Sequence, residues 1–195
     1  DENVLIPRPE TEELVELAIN KIRDSRFEIR DFKILDVGTG SGIIPITLKK
    51  HFKNAEISAM DISEKALEIA QKNADFHQTE IKFLQADYLN TDLTEKYDVI
   101  ISNPPYIGID ENTEIEDSVK GFEPNIALFS PTSDALIFYR KIAKDCENHL
   151  NENGLFFLEI NQKLGNETLE LFKNFSESEL VKDLSGNDRF VMGRK

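Results

Sequence analysis

The sequence lacks most of what would tie it to an oxidising compartment, a membrane or a polyanion. It has one cysteine, Cys146, among 195 residues, so no internal disulfide can form and no thiolate cluster can hold a metal. Cys146 lies in a stretch with helical spacing between Ile142 and Leu150, where a small buried thiol is expected. No apolar run approaches the roughly 18 residues of a membrane span, and no signal-peptide pattern is present. A reducing, cytoplasmic setting is therefore expected, with no membrane partner. Positive charge is also scarce: 23 Lys and Arg stand against 37 Asp and Glu, for a formal net charge of -14. The average surface should repel polyphosphate, which makes nucleic acid a poor default partner, although a small basic patch can sit within a negative total.

What is present is enough apolar sequence, 39%, to bury one sizeable core. Short apolar runs alternate with amphipathic stretches, the pattern of a parallel sheet covered by helices on both faces. Strands are expected over residues 33–37, 56–60, 81–85, 98–102 and 155–160. Helices are expected over 11–22, 43–52, 63–76, 134–150 and 166–175, with Ser63 and Asp134 as N-caps. Two further strands, 179–183 and 189–193, flank Ser185-Gly186-Asn187-Asp188 and read as a closing hairpin. The fold class is α/β, doubly wound.

The first strand ends in Asp36-Val37-Gly38-Thr39-Gly40-Ser41-Gly42 and runs directly into a helix. Glycines there supply positive φ and bare backbone for a ligand to approach. A dinucleotide fingerprint needs a third glycine that this spacing denies, since Ile43 or Pro45 occupies its place. Gly-x-Gly-x-Gly after an acidic residue is instead the spacing associated with S-adenosylmethionine enzymes, although such a cluster is also often only a tight turn. Asp61, with Ile62 beside it, follows the second strand and stands some twenty residues beyond the turn, where a carboxylate can accept from ribose hydroxyls; a plain loop carboxylate or helix cap is the competing role. Asp87-Tyr88, after the third strand, offers a carboxylate to an adenine amino group and an aromatic face to its ring, unless Tyr88 merely packs.

The fourth strand delivers Asn103-Pro104-Pro105-Tyr106 to its carboxyl end, the edge at which open α/β sheets bind ligands. An amide or nucleobase amino nitrogen is a weak nucleophile, because its lone pair is delocalised, so positioning must supply most of the help in methylating it. The Asn103 side-chain carbonyl and the Pro104 main-chain carbonyl can accept its two N–H bonds and favour the charge developing there. The prolines stiffen the loop without presenting an N–H, and Tyr106 can pack on a planar substrate group. No base is needed, because the methylated nitrogen is acidic enough to lose its proton to water. Asn-Pro-Pro is also ordinary turn chemistry.

With both halves in place, the chain resembles the PrmC/HemK family, the protein-(glutamine-N5) methyltransferases that modify class 1 peptide chain release factors. The resemblance covers essentially all 195 residues. It rests on Val4-Leu5-Ile6-Pro7-Arg8-Pro9-Glu10-Thr11-Glu12, on Asp36 to Gly42, on Asp61, on Asp87-Tyr88, on Asn103 to Ile107 and on Phe122-Glu123-Pro124. The Asn-Pro-Pro-Tyr motif is shared with DNA adenine methyltransferases, and the opening Ile-Pro-Arg-Pro-x-Thr-Glu segment narrows it to this family. The resemblance implies a class I S-adenosylmethionine-dependent methyltransferase sheet, Rossmann-like, mostly parallel and seven-stranded, with an antiparallel last strand. It implies S-adenosylmethionine as donor, no metal, and the glutamine of a Gly-Gly-Gln tripeptide in release factors as acceptor. Arg8 and Glu123 are implied as substrate- or cofactor-side residues, though each could equally be a surface charge.

Residues 1–195 are expected to form one catalytic domain, with 1–30 a leading segment and helix and 31–195 the Rossmann-like core. The small helical N-terminal domain of the family has no counterpart here, which suggests a piece of a longer protein. Two departures stand out: Tyr88 where members often have tryptophan, and Asn161-Gln162 after Glu159-Ile160 where a glycine is common. The competing readings are a methyltransferase acting on adenine N6 or guanine N2 of a flipped base, one acting on a ribosomal-protein glutamine, a cofactor-binding adaptor without turnover, and a nicotinamide oxidoreductase.

Overall fold

Helix α1, Pro9–Asp24, opens the computed structural model, which describes residues 4–25, 27, 31–105 and 134–195. Proline at its first position, Glu10 and Glu12 in its first turn, and Lys21 and Arg23 in its last all suit a helix and its dipole. Its buried stripe of Leu14, Val15, Ala18, Ile19 and Ile22 follows the helical period and faces the sheet.

The chain then alternates β1 (Phe32–Val37), α2 (Ile43–His51), β2 (Ala55–Asp61), α3 (Glu64–Phe76), β3 (Lys82–Gln85) and β4 (Tyr97–Ser102). After residue 133 come α4 (Ile137–His149), β5 (Leu150–Glu159), the short α5 (Gly165–Glu170), β6 (Glu177–Lys182) and β7 (Asp188–Arg194). The seven strands form one sheet in the order β3-β2-β1-β4-β5-β7-β6. All pairings from β3 through β5 are parallel, and β7 runs antiparallel to both its neighbours. The doubly wound sheet and closing hairpin are thus what the residue pattern predicts, and the reversed last strand is what the resemblance implies.

Alternation along the strands makes two cores. Ile34, Ile57, Val99, Ile101, Leu155 and Phe157 join residues of α1 and α2 on one face. Leu35, Ile100, Phe156 and Leu158 join Tyr139, Ile142, Ala143 and Cys146 of α4 on the other. Because both faces are covered, these strands are apolar at nearly every position. Cys146 is the expected buried free thiol. None of the described helices is long and apolar enough to cross a membrane.

Three boundaries differ from expectation, each for a local reason. Ser63 caps α3 by accepting from the Ala66 N–H at 3.2 Å, but Asp134 does not cap α4. Its carboxylate accepts from Leu136 N–H and pairs with Arg140, closing a turn ahead of a helix whose cap position is Leu136. Strand β5 begins at Leu150, directly after α4, with a register shift opposite residues Tyr97 to Val99; the polar run Asn151 to Gly154 hides this start. The last helix stops at Glu170 because the chain turns to lay Phe172 and Phe175 on Phe156, with centroids 4.4 Å and 5.2 Å away.

Register places Val37 beside Met60 and Ser102, and Ser102 beside Leu158. The carboxyl ends of β1, β2, β4 and β5 therefore share one edge. Between β1 and β4 the strand order reverses, which opens the crevice where such sheets take ligands.

Candidate functional site

Three glycines build the floor of that crevice. Gly38, Gly40 and Gly42 have φ of 75°, 53° and 80°, the left-handed region in which a Cβ is strained. Gly42 also packs α2 on α3, since a Cβ there would lie 3.1 Å from the Ala70 Cβ. At Gly40 a Cβ would meet nothing within 4 Å, so the backbone there faces open space. Gly38 and Thr39 donate their N–H groups to the Met60 carbonyl at 2.9 and 3.0 Å, and Asn73 Nδ2 donates to the Ser41 carbonyl at 2.8 Å. The turn is held from both sides.

Asp61, at the end of β2, accepts from Gly40 N–H through Oδ2 and from Ser63 N–H through Oδ1, both at 2.9 Å. The loop-cap role and a place facing the glycine turn therefore coexist. Ile62 beside it is 46% exposed, an apolar surface open at the same edge. The Ala86 N–H donates to the Asp61 carbonyl at 3.0 Å, which brings Asp87 alongside. Asp87 Oδ1 accepts from Leu89 N–H and Oδ2 from Asn90 Nδ2, which leaves further lone pairs on both oxygens. Tyr88 is only 5% exposed and belongs to the core cluster with Leu35, Val37 and Met60. The carboxylate of Asp87, rather than the Tyr88 ring, is what a ligand at this edge would meet.

Asp36 is fully buried, and among the described residues neither of its carboxyl oxygens has a hydrogen-bond partner. The Thr39 hydroxyl is likewise buried and unpartnered among them. Burial pushes the Asp36 carboxyl from its ordinary 3.8 to about 7, with the Asp61 charge adding and Thr39 opposing. Buried polar atoms without partners are uncommon; here they gather beneath a turn whose backbone faces open space. A ligand carrying a cationic donor would satisfy them.

The Asn103 turn leaves β4 beside this floor. Ser102 Oγ donates to the Val37 carbonyl at 2.7 Å, locking the ends of β4 and β1 together, and the Asn103 main-chain oxygen lies 3.8 Å from where a Gly38 Cβ would be. Asn103 and Pro105 are half-buried and Pro104 is buried. Tyr106 and Glu123 lie outside the described residues, as do Ile107, Phe122 and Pro124.

Two residues of the site escape the sequence reading. Asn103 Nδ2 donates to Thr11 Oγ1 at 3.0 Å, and Thr11 Oγ1 donates to Glu159 Oε2 at 2.8 Å. Thr11 sits in the first turn of α1, its N–H bonded to the Arg8 carbonyl at 3.0 Å, so the opening Pro-Arg-Pro-x-Thr-Glu segment is brought to Asn103. Arg8 is half-buried one turn away. Glu159 ends β5 at the same sheet edge, and that position was the available signal. Residues 36–42, 61, 62 and 87, expected on the cofactor side, and the turn 103–105 thus assemble along one edge.

The chain has relatives among known proteins. A family model described as Methyltransferase small domain matches residues 16–119. A release factor glutamine methyltransferase of Flavobacterium psychrophilum is 48% identical over 98% of this chain and 68% of its own length. One from Lactococcus lactis is 43% identical over 98% of this chain and 69% of its own length. Among solved structures, a methyltransferase from Pyrococcus furiosus aligns at TM-score 0.67 and 18% identity, covering 100% of this chain and 86% of its own. Magnesium protoporphyrin IX methyltransferase from Synechocystis, solved with bound SAM, aligns at 0.60 and 16% identity over 95% of this chain and 80% of its own. At such identities the structural likenesses speak for the fold alone.

Proposed function

Because the chain belongs to the release factor glutamine methyltransferase family, we propose that it moves a methyl group from S-adenosylmethionine to the side-chain nitrogen, N5, of a release-factor glutamine, that of the Gly-Gly-Gln tripeptide of class 1 factors. The observation that carries this reading is the Asn103 turn, seated at the end of β4 against the glycine floor with its amide N–H2 turned inward on Thr11.

The residues present fit the donor. Asp36 and Thr39, buried and lacking partners among the described residues, suit the α-ammonium of its methionine part, with Gly38 to Gly42 admitting that part against bare backbone. Asp61 would take the ribose hydroxyls. Asp87 would take the adenine amino group, with Ile62 over the ring and Tyr88 behind the pocket. When bound, S-adenosylmethionine supplies an electrophilic methyl on a sulfonium.

The chain's own residues do the rest by positioning. Asn103 Oδ1 and the Pro104 carbonyl accept the two N–H bonds of the glutamine amide, which fixes its nitrogen in line with the methyl and favours the positive charge arising there. Pro104 and Pro105 offer no N–H that could compete for these acceptors. With the methyl supplied from the sulfonium, the acceptor nitrogen would carry one proton too many, which it gives to water. Tyr106, Arg8 and Glu123 are assigned to the substrate side by the family resemblance. Cys146, buried as a free thiol, accords with a cytoplasmic site of action.

The test is methyl incorporation from labelled S-adenosylmethionine into purified release factor, with DNA and ribosomal RNA as parallel acceptors. Label is expected in the protein, and label confined to nucleic acid would overturn the reading. Asn103→Ala is expected to keep S-adenosylmethionine affinity within about threefold while lowering kcat by about 100-fold or more, the scale of losing a positioned transition-state acceptor.

A further inference from the structure

We infer that Thr11 and Glu159 form a one-way hydrogen-bond relay that decides which end of the Asn103 amide meets the substrate nitrogen. The inference rests on the glutamine-methylation reading for its consequence, but on the geometry alone for its existence. Thr11 and Glu159 are 6% and 2% exposed, so water does not compete for their bonds. A carboxylate accepts and does not donate, and a threonine hydroxyl has one proton to give. That proton goes to Glu159 Oε2 at 2.8 Å. Only lone pairs then face Asn103, so the amide must turn its N–H2 to Thr11, as it does at 3.0 Å. Oδ1 is thereby left for the acceptor.

A flipped amide would be wrong at both ends. Oδ1 would face the Thr11 oxygen with no proton between them, and an N–H2 would meet the N–H2 of the glutamine. Both anchors are fixed. Glu159 pairs with Phe190 in β7 and its carbonyl accepts from the Tyr139 hydroxyl at 3.2 Å. Thr11 is pinned on the first turn of α1, and its β-branched side chain has few rotamers. Thr11 and Glu159 are thus positioning residues acting through Asn103.

Thr11→Val keeps the shape and removes the hydroxyl; Thr11→Ser restores it. With release factor as substrate, Thr11→Val is expected to lower kcat by about 10- to 100-fold, with the KM for release factor and the affinity for S-adenosylmethionine within about threefold. Thr11→Ser should recover most of the loss. Glu159→Gln, whose amide can also donate to Thr11 and so permits the reversed order, should fall between. An activity-independent readout is the Asn103 side-chain N–H2 resonance in 15N spectra, identified by its loss in Asn103→Asp. In the parent it should be protected from exchange, and in Thr11→Val it should shift and exchange faster. Parental kcat in Thr11→Val, failure of Thr11→Ser to recover, or an unmoved resonance would each overturn the relay. Should Thr11→Val not fold, Thr11→Ser and Glu159→Gln decide by the same readouts. If the parent leaves release factor unmethylated, the functional reading fails while the resonance comparison still judges the relay.

Discussion

Asp36→Asn tests whether the buried carboxyl beneath the glycine turn is held there at the expense of stability. In the folded chain burial raises its pKa from 3.8 to about 7, so the native state binds a proton that the unfolded state has already released. Stability from this group is therefore intact below 3.8, falls as pH rises from 3.8 to about 7, and stays low above. The shift of about three units corresponds to a full penalty of about 4 kcal/mol. Between about pH 5.5 and pH 8.5 the parent should lose about 2 kcal/mol of it. For a domain of this size that is a fall of about 4–8 °C in melting temperature. Asn cannot ionise, so Asp36→Asn should lack this component. Contributions common to both proteins cancel in the difference. Thermal unfolding of both at several pH values, without ligand, measures it. Parallel profiles across the window would refute the buried, ionising Asp36. The same variant should bind S-adenosylmethionine more weakly, because an amide no longer answers a cation with a charge.

Glycines 40 and 42 should fail differently. Gly42→Ala places a Cβ 3.1 Å from the Ala70 Cβ at φ 80° and should lower stability by about 1–3 kcal/mol in chemical denaturation, with a modest effect on affinity in folded protein. Gly40→Ala has open space around its Cβ, so it should show backbone strain of about 1–2 kcal/mol but a larger loss of S-adenosylmethionine affinity by calorimetry. Asp61→Ala strands the N–H groups of Gly40 and Ser63 and removes the proposed ribose acceptor. It should weaken cofactor binding by about 10-fold or more while its maximal methylation rate at saturating cofactor changes less.

The strands of this fold were legible where burial on both faces writes an apolar run, continuous in Val99, Ile100 and Ile101 and broken only by Asp36 in Ile34, Leu35 and Val37. The start of β5 was not, because Glu152 and Asn153 are exposed and polar, and position 153 has φ 61°. The glycine turn could be read because positive φ at positions 38, 40 and 42 leaves glycine as the residue without a steric penalty. Asp61 and Asp87 were singled out from their places after strands. Tyr88 was ambiguous, since an aromatic after a strand end serves as core or as ligand wall with equal ease, and its 5% exposure comes only from the fold. The Thr11 to Glu159 bond joins residues 148 apart. No local pattern announces such a pair, which exists only because the fold brings the first turn of α1 to Asn103 and to Glu159 at the end of β5.

Mass spectrometry of the Gly-Gly-Gln peptide from a purified class 1 release factor, incubated with S-adenosylmethionine and either this protein or its Asn103→Ala variant, addresses the central claim most directly. The glutamine should gain a single methyl group, localised to its side-chain nitrogen, with the parent and not with the variant. An unmodified glutamine with active parent protein, or equal modification by the variant, would contradict it.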